Sequence, residues 1–418
     1  MGMTMCEKII ARHADRSSVR PGEYVWVKAD ATQGGMLGQL EKLGIERVWN
    51  PERVYIVEDH LAPPPSVTAA NHMVQLRKLV KRYGITNFFE YGRHGILHQV
   101  FPENGMIAPG ELIPMPDSHS TTGGAFNACV TNAALDSMLV LIFGEYWFRV
   151  PESVRINLVG KYAGPENFFV GKDIVLYIAG QYGTDVGLYK SLEYMGPVAH
   201  ELSVASRMTI SNMGVELGAK FAIFPCDEKT EEWLKGRLNR PYTPANPDPD
   251  ATYAEEITVD VTGLPPQVAC PHDPGNVKPV TELEPERIKV DQAFIGSCTN
   301  ARLEDFQMAA RILKGRKVHP DVRLIASPAS QNVWNECLRE GIWEVFSEAG
   351  ALVAHSTCGP CYGGHMGVLG DGEVSIASSN RNFQGRQGSP NAFVYLANPA
   401  TVAASAVLGY IADPRQFL

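Results

Sequence analysis

Gly296-Ser297-Cys298-Thr299-Asn300 and, 60 residues after its cysteine, Thr357-Cys358-Gly359-Pro360-Cys361 contain three cysteines that a fold can bring together, without an obvious fourth. Each stretch follows a β-rich run, at residues 293–295 and 351–354. The carboxyl ends of parallel strands meet at one edge of an open sheet, where ligands bind. The three thiols are therefore expected to form a ligand set that is open on one side.

Segments typical of strands and of helices alternate along the chain, which predicts an α/β protein. The prolines in residues 225–284 interrupt regular structure and predict a long ordered excursion. We expect two interleaved α/β domains in residues 1–284 and a third in residues 285–418, which carries the three cysteines. The predicted strands are residues 54–57, 86–89, 293–295, 322–326, 351–354 and 374–377. The predicted helices are residues 66–83, a segment around 174–178 that ends at Gly180, 303–313 and 331–340.

Composition narrows the function classes. The chain has 418 residues, 44% of them hydrophobic and 20% charged, which is ordinary for a globular protein. Its net charge of −9 argues against nucleic acid as the main partner. No apolar run is long enough to span a membrane and no signal peptide is visible, so a cytoplasmic protein without a membrane partner is expected. Eight cysteines are too sparse for a disulfide scaffold.

Local chemistry leaves the role of the three cysteines open. A Cys-x-x-Cys pair can belong to a redox centre, a zinc site or an iron–sulfur site, and Gly359-Pro360 indicates a rigid turn rather than a redox motif. A zinc site could take His355 or His365 as its fourth ligand. Cluster, zinc and buried thiols are equally compatible with these residues alone. The other five cysteines are predicted to be buried structural thiols, and they are Cys6, Cys129, Cys226, Cys270 and Cys337.

Pairs of carboxylates and imidazoles form a second group of candidates. Asp117-Ser118-His119 precedes a glycine-containing turn and could share a proton or orient water, although an aspartate that caps a helix beside a surface histidine has the same pattern. Asp59-His60 and His98-Gln99 carry the same ambiguity.

Amide and guanidinium groups form a third group. Asn212 and Glu216 have the spacing of one helical face, which also suits a surface pair. Residues 379–386 contain two asparagines and two arginines, and arginine forks suit substrate carboxylates.

Taken together and in this order, these segments resemble the aconitase superfamily, specifically its two-subunit branch of isopropylmalate isomerases (3-isopropylmalate dehydratases). The resemblance runs along nearly the whole chain. It is carried by residues 58–61, 97–99, 102–103, 117–119, 211–214, 216–219, 296–300, 358–361, 380–383 and 385–386.

The resemblance implies a [4Fe–4S] cluster held by Cys298, Cys358 and Cys361, whose fourth iron binds the substrate's hydroxyl and a carboxylate. It implies that Glu216 assists the leaving water. The proton-handling network would consist of Asp59, His60, His98, Asp117 and His119. The residues that contact or position the substrate would be Thr32, Ser118, Asn212, Asn380, Arg381 and Arg386.

The resemblance also implies a partner and a substrate class. Single-chain relatives carry a swivelling domain that supplies a serine base, for which a chain ending at Leu418 has no room, so a separate small subunit is expected. The expected reaction is dehydration and rehydration of a small di- or tricarboxylic 2-hydroxy acid, with 3-isopropylmalate to 2-isopropylmalate as the leading assignment.

Departures from the usual isomerase sequence at residues 28–34 and 125–132 leave homoaconitate, citramalate or maleate, and 2,3-dimethylmalate as rival substrates. A zinc-stabilised structural protein and an RNA-binding iron sensor are the alternatives from other classes.

Overall fold

A computed structural model describes residues 2–418 as several sheets covered by helices. The mixed α/β class predicted from the sequence is confirmed. The strands are β1 Tyr24–Lys28, β2 Thr32–Gln33, β3 Val54–Val57, β4 Asn87–Phe89, β5 Leu112–Met115, β6 Cys129–Asn132, β7 Glu145–Arg149, β8 Ser153–Val159, β9 Ser191–Met195, β10 Phe221–Ile223, β11 Glu255–Asp260, β12 Gln267–Ala269, β13 Val277–Pro279, β14 Gln292–Ile295, β15 Arg323–Ala326, β16 Leu352–Val353, β17 Val374–Ala377 and β18 Phe393–Leu396.

The α-helices cover the sheets together with short 3-10 helices, and within residues 2–418 none of these α-helices combines the length and the apolarity needed to cross a membrane. They are α1 Met5–His13, α2 Leu37–Lys42, α3 Val67–Arg82, α4 Leu97–Glu103, α5 Ser137–Phe143, α6 Gly171–Tyr182, α7 Pro197–Glu201, α8 Val204–Met213, α9 Glu228–Leu234, α10 Val280–Leu283, α11 Leu303–Leu313, α12 Gln331–Arg339, α13 Ile342–Ala349, α14 Gly359–Tyr362 and α15 Pro399–Leu408.

The largest sheet has seven strands in the order β13-β12-β18-β17-β14-β15-β16. The strands from β18 to β16 run parallel, whereas β12 and β13 are antiparallel additions. Every residue of β14 is buried, as expected for a central parallel strand covered on both faces. The loops that follow β14, β16 and β17 therefore leave the sheet at one edge, and these loops carry the three cysteines and Asn380.

The proline-rich stretch differs from the prediction. Strands β12 and β13 lie within residues 225–284 yet belong to the seven-stranded sheet, so residue 285 is not a break in that sheet. Strand β11, from the same stretch, pairs with β8 in a parallel four-stranded sheet of order β10-β9-β8-β11. Proline is compatible with strand ends and edges, and Pro279 is the last residue of the edge strand β13. The division into three domains stays a prediction.

The predicted bounds of two helices can be compared with the bounds in the structure. Helix α3 begins after Ser66, whose Oγ accepts a hydrogen bond from Ala69 N, and it buries a stripe that includes Met73 and Leu79, as predicted. Helix α6 was predicted to end at Gly180 but continues to Tyr182. A Cβ at position 180 would lie 2.8 Å from Val277 Cβ, so this glycine permits close packing rather than a helix end.

Candidate functional site

Loops from separate elements converge on one cavity at the carboxyl edge of the seven-stranded sheet. Cys298 follows β14, Cys358 and Cys361 follow β16, and Asn380 follows β17. The prediction that these sequence-distant residues meet is confirmed. The side chains that line the cavity are Asp59, His60, His98, Asp117, Ser118, His119, Ser297, Cys298, Cys358, Cys361, Tyr362, Asn380 and Arg386.

Amide groups surround the Cys298 thiol. Asn212 Nδ2 donates to Cys298 Sγ at 3.1 Å, and Asn380 Nδ2 donates to the same sulfur at 3.3 Å. Burial raises the pKa of the Cys298 thiol to about 12 and raises that of Cys358 well above its usual range. A bound metal centre can hold such thiols in their thiolate form, and amide donors to sulfur are a common feature of iron–sulfur sites.

The donor chemistry fits an iron–sulfur cluster better than a zinc ion. Soft thiolates select iron–sulfur clusters as well as zinc. However, neither histidine considered as a fourth zinc ligand lines the cavity with the three cysteines, and His355 Nε2 is instead bonded to Ala62 O at 2.9 Å and His365 Nε2 to His60 O at 3.0 Å. Ligand atoms of Asp59, His60 and Cys358 do lie within 4.8 Å of one another, which brings an acid–imidazole pair beside the third thiol.

Asp59 connects the amino-terminal half of the chain to the Cys358 loop. Its backbone oxygen accepts hydrogen bonds from Cys358 N at 2.9 Å and from Thr357 Oγ1 at 2.8 Å. Its carboxylate bonds His60 Nδ1 at 2.6 Å and accepts from Leu97 N at 2.9 Å. The carboxylate of Asp59 raises the pKa of His60 to about 9, so this imidazole is protonated at neutral pH in the cluster-free chain.

In cluster-free protein, the His60 ring should therefore titrate by NMR with a midpoint near pH 9. The pKa of His60 in the folded chain lies above its unfolded value of about 6.5. The Asp59–His60 pair therefore stabilises the fold fully below about pH 6.5, and this stabilisation is lost as the pH rises through about 9. Asp59→Asn should lower the midpoint to below about 7. His60→Gln assigns the signal among the eleven histidines. A midpoint that Asp59→Asn leaves unchanged would contradict the assignment.

A second acid–imidazole pair joins α4 to the loop after β5. His98 Nε2 and Asp117 Oδ1 are 2.6 Å apart, and Asp117 Oδ1 also accepts from His119 N at 3.2 Å. The neighbouring histidines, with His98 first, hold the pKa of Asp117 far below its usual range despite burial. Asp117 is therefore a carboxylate at neutral pH. The interpretation of Asp117 as a mere helix cap beside a surface histidine is wrong, since His119 is 4% exposed.

Four side chains form a closed ring at the back of the cavity. His119 Nε2 and Glu216 Oε1 are 2.8 Å apart, and Arg381 Nε donates to the same oxygen at 2.7 Å. Arg381 also donates to Ser118 Oγ at 3.3 Å, and that hydroxyl lies 3.0 Å from His119 Nδ1. His119 and Arg381 lower the pKa of Glu216 against the effect of burial, while burial lowers the pKa of His119. The ring therefore fixes a neutral imidazole between a carboxylate and a hydroxyl.

The structure corrects the local context of Asn212 and Glu216. Asn212 ends a buried part of α8, but Glu216 lies in the 3-10 helix Gly214–Leu217, so the two are not on one face of an α-helix. Both side chains are buried, which excludes the alternative of a surface pair. Asn212 points its amide at Cys298, whereas Glu216 belongs to the ring of His119 and Arg381.

Arg386 is the cavity residue best placed to meet an anion. Its Nε is buried and, within residues 2–418, has no hydrogen-bond partner, while its Nη2 is 3.9 Å from Cys361 Sγ. A buried guanidinium nitrogen without a partner is unfavourable unless a ligand completes its hydrogen bonds. A substrate carboxylate has the geometry that this group requires.

Thr32 does not join the cavity. Its side chain is fully buried and its hydroxyl donates to Pro114 O at 2.8 Å, which connects β2 to β5. The substrate-binding role predicted for Thr32 is therefore not supported by its position. The residue type alone does not indicate a binding role, because threonine occurs both in binding sites and between packed strands.

Two buried cations near the cavity were not found from the sequence. Arg302, 5% exposed, donates to Cys298 O at 2.8 Å and to Thr299 O at 2.6 Å, and Gln99 Oε1 accepts from its Nε. Lys172, which is fully buried, reaches the turn after β17. Lys172 is followed by Asp173 in the first turn of a helix that is otherwise mostly apolar, and such a pair of charges gives no signal of its position in space.

Comparison with known proteins shows the family to which the chain belongs. The profile of the aconitase family (aconitate hydratase) matches residues 7–409. The chain belongs to the aconitase family, which confirms the resemblance seen in its motifs.

Within that family the chain is similar to proteins named 3-isopropylmalate dehydratase large subunit. Those of Caldicellulosiruptor bescii and Sulfurihydrogenibium sp. are 45% and 46% identical to it, over 99% and 100% of this chain and 97% of each relative. Large subunit 1 of Methanopyrus kandleri is 46% identical over the full length of both chains. The crystal structure of holo aconitase X from Thermococcus kodakaraensis covers 93% of this chain and 87% of its own, with a TM-score of 0.48 and 11% identity.

Proposed function

We propose that this chain is the large subunit of a [4Fe–4S] hydro-lyase that converts 3-isopropylmalate to 2-isopropylmalate together with a separate small subunit. The membership of the aconitase family makes it a hydro-lyase. The observation that carries the proposal is that one cavity brings together three thiols, two acid–imidazole pairs and Arg386, whose buried Nε has no hydrogen-bond partner within residues 2–418. A cytoplasmic location stays a prediction.

Cys298, Cys358 and Cys361 would hold the cluster, and Asn212 and Asn380 would stabilise its sulfur ligands through their amide N–H groups. When bound, the cluster supplies a Lewis-acidic iron that makes hydroxide a better leaving group. The position of Asn212, with its amide on the Cys298 sulfur, supports this role over direct contact with a substrate carboxylate.

Protons would be handled by the imidazoles. Asp117 and Asp59 are positioned to orient His98 and His60 through bonds of 2.6 Å, in the way that carboxylates fix catalytic imidazoles. His119, held between Glu216 and Ser118, would exchange a proton with the departing or returning water. Because Glu216 is an anion and also bonds Arg381, the ring can accept or return this proton without leaving an unpaired buried charge.

Carboxylate binding would fall to arginines. Arg386 lines the cavity with a free buried nitrogen, and Arg381 reaches Ser118 at the cavity wall. Positive charge placed at a substrate carboxylate also stabilises the additional negative charge that develops when the adjacent C–H is deprotonated.

Replacing Glu216 by glutamine should lower kcat by about a hundredfold, because the neutral amide neither orients His119 as a carboxylate does nor balances Arg381. Glu193→Gln is a matched control, since Glu193 is likewise a buried carboxylate but bonds Met5 N and Cys6 N, away from the cavity. Steady-state kinetics per mole of bound iron give the comparison. A Glu216→Gln enzyme as active as the control would remove Glu216 from the proton pathway.

The substrate assignment is tested with the reconstituted two-subunit enzyme and a set of 2-hydroxy acids. We expect kcat/KM for 3-isopropylmalate to exceed that for citramalate, homocitrate and 2,3-dimethylmalate by at least about tenfold, because none of them carries the isopropyl group and a single methylene already changes kcat/KM by about 10- to 200-fold. Chromatographic or NMR detection of the hydrated products measures each rate. A higher kcat/KM for any of the others would reassign the substrate, and iron-loaded enzyme inactive on all of them would refute the hydro-lyase proposal.

A further inference from the structure

Lys172 places an ammonium group beneath the cavity, inside the protein. It is the second residue of α6, and its side chain is fully buried. Its Nζ donates to Ser378 O at 3.1 Å and also to Ser379 O. These carbonyls belong to the turn after β17, which leads directly into Asn380 and Arg381.

The ammonium has no carboxylate bonded to it within residues 2–418. Asp173 and Asp305 are close enough to interact with it electrostatically, but their oxygens bond other groups. Those groups are the backbone nitrogens of Val170, Gln267 and Arg302 and the side-chain amides of Asn300 and Asn398. Burial lowers the pKa of Lys172 to about 7, which reflects how unfavourable this position is for a cation. A buried cation without a bonded anion indicates that a negative charge belongs nearby.

The cysteine sulfurs supply the candidate for that charge. When Cys361 and Cys298 are thiolates, as metal ligands are, their charges act on Lys172 in the direction that favours the cation. The same ammonium is connected to the Cys298 region through Ser378, because Ser378 Oγ accepts from Gly296 N at 3.0 Å in the loop before Cys298. The next residue but one, Asn380, donates to Cys298 Sγ.

We propose that Lys172 is a positioning residue for the iron–sulfur cluster, whose ammonium offsets the negative charge of the cluster with its thiolate ligands and holds the turn that carries Asn380 and Arg381. This inference rests on the cluster assignment in the proposed function. The positive charge then comes from α6, a helix that contributes no cysteine ligand. The reduction potential of the cluster would therefore depend on a residue that does not line the cavity.

Two variants separate the charge from the hydrogen bonds. Lys172→Met removes both, whereas Lys172→Gln keeps an N–H donor and removes only the charge. In both, one-electron reduction of the reconstituted cluster should become about tenfold less favourable, which is a midpoint potential about 59 mV more negative. Redox titration followed by electron paramagnetic resonance measures it. Loss of iron on exposure to air should be several-fold faster than in the wild type.

Lys220→Met is the matched control, because Lys220 is a lysine over the rings of Phe148 and Tyr189, among residues that do not line the cavity. Its cluster should keep the wild-type potential. The cluster-free forms are compared by circular dichroism and thermal unfolding.

The possible results distinguish failure of the proposed function from failure of the role proposed for Lys172. A wild-type chain that takes up no cluster refutes the proposed function and the inference with it. A wild-type cluster whose potential is unchanged by Lys172→Gln refutes the charge role alone. If neither Lys172 variant folds without the cluster, the ammonium serves the polypeptide fold, and the inference is likewise overturned.

Discussion

Cys358→Ser should eliminate the cluster and reduce hydro-lyase activity by more than about a thousandfold. Burial already opposes ionisation of the Cys358 thiol, and a serine hydroxyl at this position would resist it more strongly, so it would not replace a soft thiolate ligand. The two remaining thiols cannot hold the cluster as three do. Iron and acid-labile sulfide content, together with visible absorbance of the reconstituted protein, measure the loss independently of activity.

Cys226→Ser is the control for this prediction. Cys226 is partly buried and has a pKa raised by burial to about 12, but it does not line the cavity. It should retain both iron and activity. If Cys358→Ser kept the colour and turnover of the wild type, the assignment of the three cysteines would be wrong.

The iron-loaded chain alone should show about a thousandth of the activity of the two-subunit enzyme, because the resemblance places the base for the C–H bond on the small subunit and a general base contributes about 10² to 10⁴ in rate. The structure gives a second reason. The side chain of His60 lines the cavity and is 52% exposed, so the cavity opens to solvent at that wall. Dehydration chemistry benefits from exclusion of bulk water, which a partner seated there would provide.

Titration of the iron-loaded chain with a small subunit of the same branch tests this dependence. Activity should rise and saturate near one small subunit per chain while the iron content stays constant, which separates subunit binding from cluster repair. Heat-denatured small subunit is the control. Full turnover by the purified chain before any addition would contradict the need for a partner.

The sequence predicted the meeting of the cysteines because the argument depends only on strand direction. Residues 293–295 and 374–377 are short strand-like segments followed by polar residues, and parallel pairing then brings Cys298 and Asn380 to one edge. Strand direction alone does not predict which sheet the proline-rich stretch joins, since strand pairing between β12 and β18 depends on contacts more than 100 residues apart. Prolines in a sequence indicate where strands end, but they do not indicate which sheet a strand joins.

The residues that hold the site in place were harder to predict from the sequence than the three cysteines. Nothing local distinguishes Thr32, which connects two strands, from Ser118, which lies in the cavity. Lys172 was missed for the opposite reason, because a lysine at the start of a helix is usually exposed. Both outcomes depend on tertiary packing.

The hydrogen bonds from Cys358 and Thr357 to Asp59 O join residues that are 299 and 298 positions apart in the chain. At a synthesis rate of about 5 to 20 residues per second, Thr357 and Cys358 are therefore made roughly 15 to 60 seconds after Asp59. Contacts of such long range form late in folding. Metal loading would thus act on a nearly finished polypeptide, and a nascent or truncated chain would have no complete place to capture iron.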